Sequence, residues 1–321
     1  KNINFQITNV NRINFRKDIN GLRALAVVSV ILYHLDIEYF KGGYLGVDLF
    51  FVISGYLISN IIFSELKEDN FSFKKFYIRR ARRILPAVLS TIVITFPFAL
   101  YFLLPLQTVE YLNSILSTLF FFANIYFSKL DFYNAEPTDF MPFLHTWSLG
   151  VEEQFYLIFP VLIIFLYRYF KKQLFWLLVS IFIFSIYLNM GSSFLKFYLI
   201  QYRFWQLLAG VLVCVLSSKF RIKNLDLIGI PIILLSILNF GDNYILEIEP
   251  RIFVTIGTIF VIFSENTTSY FEKFSSLKLI NNLGLTSFSL YLLHQPIFAF
   301  ARIHAYRQNI FIGNISDPNY F

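Results

Sequence analysis

Read for hydropathy alone, the chain is a succession of apolar runs separated by short polar stretches. A helix that spans a bilayer needs about 20 mostly apolar residues. Runs near that length lie at 19–35, 44–63, 84–104, 153–170, 174–190, 197–216, 225–240, 252–264 and 283–301, the eighth of them short. A further run, 109–127, is interrupted by Asn113, Ser114, Ser117, Thr118 and Asn124. The pattern predicts an all-α fold, a polytopic transmembrane helix bundle of about nine to ten spans.

Loops on the cytoplasmic side are marked by Lys and Arg close to the spans. Four basic sites occur: Arg12/Arg16/Lys17, Lys74–Arg83, Arg168/Lys171/Lys172 and Lys219/Arg221/Lys223. If 109–127 crosses with all the others, the third and fourth sites fall outside. If it does not, all four lie inside. The preferred scheme therefore has nine crossings, a cytoplasmic N-terminus and residues 105–150 as an outer-face subdomain. The acidic loop 242–249 then lies outside, as expected, and Arg302 and Arg307 fall there against the trend. No internal repeat or low-complexity linker is visible, so one domain is expected over 15–302. Residues 1–14 form a cytoplasmic segment and 303–321 a truncated C-terminal one in this reading.

Composition strengthens the membrane reading. A soluble domain is roughly 45–50% apolar and about 25% charged; this chain is 57% apolar and 15% charged, with 41 Phe. Its mean hydropathy is +0.61. Its 321 residues have the length of two soluble domains, but such domains have no use for so much apolar surface. The excess of 27 Lys and Arg over 20 Asp and Glu is modest, and no nucleic-acid partner is expected. Cys214, a single cysteine, excludes an internal disulfide and a cysteine metal site. The chain begins at Lys1, as a trimmed sequence would, and shows no cleavable signal.

Ionisable groups within spans are costly and are candidate functional residues. Arg23 and His34 share the first run and are eleven residues apart. In a helix this places them on one face, about 16 Å apart along the axis. Alternatively, Arg23 snorkels to the headgroups and His34 is a satisfied core histidine. Asp48 lies at the outer edge of the second run, in GGYLGVDLFFVISGYL, across a short loop from His34. It could orient the imidazole or simply cap its helix.

The stretch 74–83 holds six cations, Lys74, Lys75, Arg79, Arg80, Arg82 and Arg83. It reads as a topology signal with anionic-lipid contact, as a phosphate site built on Arg forks, or as both. In HTWSLGVEEQF, His145 and Glu152 are seven residues apart and could share a helical face with Ser148 between them. Alternatively these residues anchor the membrane interface, with Trp147 in the aromatic belt. Arg203 and His294 are further candidates inside runs. There is no HExxH, GxSxG or phosphate-loop signature, and the four histidines are too scattered to argue for a metal. Asn266 and Asn314 match a glycosylation acceptor too weakly to use.

The ordered set comprises Arg23-x10-His34, GGYLGVDLFFVISGYL, an Arg-rich loop, HTWSLGVEEQFYLIFP, an Arg before LLAG, and SFSLYLLHQP. It resembles the acyltransferase-3 family of bacterial membrane O-acyltransferases, in particular its O-antigen acetylase branch, from about residue 15 to 301. The resemblance implies transfer of an acyl group, usually acetyl, from cytoplasmic acyl-CoA to a hydroxyl of an extracytoplasmic glycan such as lipopolysaccharide O-antigen. It implies essential roles for Arg23 and His34, an Arg-x-x-Arg motif at Arg79/Arg82 or Arg80/Arg83, and an acidic residue at Glu152, with Glu153 adjacent.

The sequence departs from that family at its C-terminus, where members continue with further spans or an extracytoplasmic esterase-like domain, fused or separate. The expected site has His34 as base, oriented by Asp48 or Glu152. Arg23, Arg79, Arg80, Arg82 and Arg83 bind the donor, and His145, Arg203 and His294 bind the acceptor. The expected partners are the bilayer, acyl-CoA (acetyl-CoA by expectation) and the glycan, with no metal. The rival classes are a secondary transporter or glycan flippase, whose paired broken helices are not visible, and a non-catalytic scaffold.

Overall fold

The computed structural model describes residues 16–130, 137–189, 197–241, 248–265 and 270–316. Arg12, residues 242–247 of the acidic loop and Asn266 lie outside them. Twelve α-helices are present among the described residues. They are α1 (Lys17–His34), α2 (Gly46–Lys67), α3 (Phe73–Phe102), α4 (Pro105–Leu119), α5 (Ala123–Ser128), α6 (Thr146–Tyr169), α7 (Leu174–Leu188), α8 (Ile200–Ser217), α9 (Asp226–Asn239), α10 (Glu249–Phe263), α11 (Tyr270–Ser275) and α12 (Lys278–Ser316). The only described strands, β1 (Ile222–Lys223) and β2 (Ser264–Glu265), pair in parallel. The fold is all-α, as the hydropathy pattern predicts.

Four helical segments, Gly43–Lys67, Phe73–Phe102, Thr146–Tyr169 and Ile200–Ser217, are long and apolar enough to cross a membrane. Leu174–Leu188 and Asp226–Asn239 are apolar but shorter. Helix α1 has 18 residues but carries Lys17, Asp18 and Arg23.

Helices and hydropathy runs do not share boundaries. The Arg-rich stretch is not a loop: it forms the first turns of α3, which begins at Phe73. Lys, Arg and Ala are good helix formers, and a helix can leave the bilayer without unwinding. Likewise α12 runs for 39 residues around the apolar run 283–301; at 1.5 Å per residue it is about 58 Å long, beyond the ~30 Å of hydrocarbon.

The run 109–127 is not one helix. It breaks between α4 and α5, where Phe121 adopts φ 60°, a left-handed conformation that costs a non-glycine residue roughly 1–2 kcal/mol. Helix α4 starts with Pro105, and the Gln107 side chain accepts from the Leu104 backbone N–H at 2.9 Å. Neither piece reaches the length of a span.

The chain divides into two compact units, the first comprising Lys1–Arg79 and Val151–Phe288 and the second Arg80–Gly150 and Ser289–Phe321. In the first unit α2 and α8 pack most extensively. Their crossing depends on Gly55 and Gly210. A Cβ on Gly55 would collide with the Leu207 carbonyl, and one on Gly210 with the Val52 carbonyl. Small residues allow such backbone approach where lipid supplies no hydrophobic drive to associate. The β1–β2 ladder ties the start of α9 to the end of α10, and Ser264 donates to buried Asp226 at 2.8 Å. In the second unit Ala99, Tyr111, Ile115, Phe143, Phe300 and Ile303 form an apolar core. Burial raises the Tyr111 phenol pKa, and a hydrogen bond with Thr95 at 2.9 Å partly opposes the rise.

Candidate active site

The first unit holds most of the candidate residues. His34 is the last residue of α1, which ends as Asp36 turns to φ 56°. Asp tolerates that conformation better than most residues. Nδ1 of His34 lies 2.9 Å from the Val30 carbonyl. A carbonyl can only accept, so Nδ1 carries the proton and the lone pair of the neutral ring is on Nε2. The sequence points to Asp48 or Glu152 as the group that orients the imidazole; the hydrogen bond at Nδ1 is to the helix's own backbone. Arg23 is half-buried, about three helical turns below His34 on the same face of α1.

Asp48 lies in the first turn of α2 and is 2% exposed. Gly46 brings this turn against α1, since a Cβ there would meet the Ala26 carbonyl. The carboxylate accepts from Arg203 Nη1 at 2.9 Å and from the Gln206 side-chain amide. Arg203 Nε donates to the Phe197 carbonyl at 2.8 Å, and its guanidinium lies 4.8 Å from the centre of the Phe197 ring. Arg251 addresses the same ring at 5.6 Å and is also buried. The first turns of α2, α8 and α10 thus converge on one buried polar cluster. A desolvated charge at this depth persists only when paired, and Arg203 is paired with Asp48 directly.

At the opposite end of α1, Arg16 forms an ion pair with Asp18 and donates to the Tyr56 hydroxyl at 2.8 Å and the Ile262 carbonyl at 2.9 Å. Polar groups therefore occupy both ends of α1. Glu152 is half-buried and its Oε2 accepts from the Tyr156 hydroxyl at 3.0 Å, while the neighbouring Glu153 is the more buried of the two. Arg79 is exposed and paired with Glu65 at 2.6 Å.

The second unit holds Arg80, Arg82, Arg83, His145 and His294. Arg82 and Arg83 are exposed on α3 and Arg80 is half-buried. His145 and His294 are brought together, with ring centres 5.3 Å apart in an edge-on arrangement. Tyr291 joins them: its hydroxyl donates to the His145 carbonyl at 3.0 Å and meets Ser148 Oγ at 2.6 Å. His294 Nδ1 donates to the Tyr291 carbonyl at 2.6 Å.

Sequence reasoning missed Arg251, Gln206 and the structural part played by Arg16. Arg251 falls one residue before the apolar run 252–264 and so outside it by hydropathy, whereas the helix begins at Glu249. An Arg just inside a helix start preceded by Pro250 was the available signal. In the sequence Arg16 stands only as a topology charge. Gln206 carries no local signal. No group of three metal-ligating side chains occurs among the described residues.

The constellation is an ionisable set in apolar helices. The family model described as an acyltransferase domain matches residues 16–316. The chain belongs to this acyltransferase family, the one its motifs resemble. Among particular relatives, the O-acetyltransferase OatA of Staphylococcus aureus strain NCTC 8325 / PS 47 is 33% identical over 309 residues, covering 88% of this chain and 50% of the relative. SAS0844 of Staphylococcus aureus strain MSSA476, provisionally named an O-acetyltransferase, is 32% identical over 326 residues, covering 93% of this chain and 53% of the relative. The chain thus spans about half the length of the curated relatives it matches. No solved structure matches it.

Proposed function

We propose that the chain is the membrane acyltransferase part of an enzyme that moves an acetyl group from cytoplasmic acetyl-CoA to a hydroxyl of a cell-surface glycan. The acetyl assignment rests on the names of the relatives. The donor and the extracytoplasmic acceptor, with lipopolysaccharide O-antigen as the candidate glycan, rest on the motif resemblance. The membrane is the bacterial inner membrane, with the N-terminus cytoplasmic in accordance with the basic loops.

The observation that carries the reading is His34. It ends an apolar helix with its Nδ1 proton engaged by Val30, which leaves Nε2 as the basic nitrogen. Nε2 takes the acceptor hydroxyl proton as the oxygen attacks the thioester carbonyl. The C–S bond breaks, and the imidazolium returns the proton to the departing CoA thiolate. Arg23 and the arginines of the 79–83 stretch are assigned to the donor phosphates. The cluster at Asp48 positions the helix ends around His34 and does not itself take the proton.

The test is transfer of labelled acetyl from acetyl-CoA to a lipid-linked glycan by protein in nanodiscs. His34→Ala should remove transfer while leaving insertion and melting unchanged; wild-type transfer by that variant overturns the base assignment. Transport of unmodified glycan with no label transferred would overturn the enzyme reading.

A further inference from the structure

The first unit carries a large apolar cavity that the acyl-transfer reading does not use. It has a volume of about 610 Å³ and lies between α1, α9, α11 and the start of α12, lined by Ala24, Leu25, Ile230, Leu234, Phe274 and Leu283 among others. At ~30 Å³ for a water-sized group in a liquid, it has room for about 20 such groups, comparable to one fatty-acyl chain. Its walls reach the surface of the unit: Leu227 is 50% exposed, Phe274 51% and Tyr270 70%. On a helix bundle in a membrane, a surface of this kind is turned to lipid.

The charge at one end of the cavity specifies the occupant further. The Lys273 ammonium lies 5.7 Å from the centre of the ring of Tyr270, a lining residue. Lys278, two residues before the lining Ile280, opens α12, and Lys223 stands three residues before the lining Asp226. Both lysines are exposed. Three lysines, Lys223, Lys273 and Lys278, thus flank lining residues, with the acids Asp226, Glu265 and Glu272 close to them in sequence. Asp226 accepts a hydrogen bond from Ser264, and Glu265 lies opposite Lys223 in the β1–β2 register. The same end of the unit contains the start of α1, since a Cβ on Gly21 would meet Ser275 of α11.

We propose that this groove binds one acyl chain of an anionic membrane phospholipid, whose phosphate lies against Lys273 and Lys278. A neutral lipid would fill the apolar volume equally well and leave the lysines without a function; an anionic one satisfies both features. The inference needs only that the chain resides in a membrane and is independent of the acyl-transfer reading.

Native mass spectrometry tests it, on the full chain equilibrated in nanodiscs of phosphatidylglycerol and phosphatidylcholine and then released into detergent. The expected result is one retained lipid per chain, with phosphatidylglycerol favoured about 25-fold. Lys273→Gln/Lys278→Gln should erase that preference, at about fivefold for each lysine near the headgroups. Leu234→Trp should fill the groove and expel the lipid. If Leu234→Trp proves unstable, the lysine pair, being at the surface, still decides the matter. No retained lipid, equal retention of both headgroups, or a lysine variant with wild-type preference overturns the proposal. So does a second copy of the chain cross-linked through Leu227 or Phe274 in place of lipid.

Discussion

Asp48→Asn is the most informative change to the buried cluster. The carboxylate accepts from Arg203 at 2.9 Å, and the two side chains are 3% and 2% exposed. Removing one partner of such a pair costs about 3–5 kcal/mol, because the other charge stays buried without compensation. Arg203 cannot relieve this by losing its proton, and Arg251 beside the same Phe197 ring adds a second cation. Arg203→Met is different. It leaves a carboxylate that keeps Gln206 and can take up a proton, so its cost should be roughly half as large.

The double variant should cost no more than Asp48→Asn alone, giving a coupling of about 2–3 kcal/mol. Unfolding equilibria in mixed micelles, titrated with a denaturing detergent and followed by helical circular dichroism, measure all three. At 1.4 kcal/mol per tenfold, a 3 kcal/mol loss raises the unfolded-to-folded ratio by more than 100-fold. Equal costs for the two single variants, or strict additivity in the double, would refute the reasoning that a desolvated cation is the destabilising species.

Other consequences can be measured in the same system. Gly210→Val should lower stability by about 1–3 kcal/mol or more by forcing α8 away from α2, visible as a lower melting temperature; an unchanged value would mean the crossing is looser than the backbone contacts show. Tyr291→Phe removes a hydroxyl held by Ser148 and His145 and should cost about 1–3 kcal/mol, with Ser148→Ala adding little to it in a double-variant cycle. Glu65→Gln should change stability by less than about 1 kcal/mol, because its partner Arg79 is exposed and screened. Replacing Arg79, Arg80, Arg82 and Arg83 by Gln should raise the KM for acetyl-CoA without inverting the chain; a topology change with unaltered KM would assign these residues to lipid and orientation alone.

Much of this protein was determined locally. Continuous apolar runs with little charge commit the backbone to helices, since lipid offers no other partner for N–H and C=O groups. The ordered motifs at Arg23, His34, Asp48 and Glu152 were equally visible, because each is a short string of residue types. Helix ends were less so: the polar turns 73–83 are good helix in or out of the bilayer, and hydropathy marks depth rather than helix termini.

What only the tertiary structure decided is which apolar face is covered. The segments Gly43–Lys67 and Phe73–Phe102 have nearly the same hydropathy, 1.8 and 2.0, yet 72% of one window is buried and 28% of the other. In water the two would differ by a polar stripe; in lipid both faces are apolar and the stripe is missing. The pairing of Asp48 with Arg203, 155 positions away, the meeting of His145 with His294, and the groove between α1 and α9 all depend on that choice of face. Packing makes the choice, and no periodicity in the chain announces it.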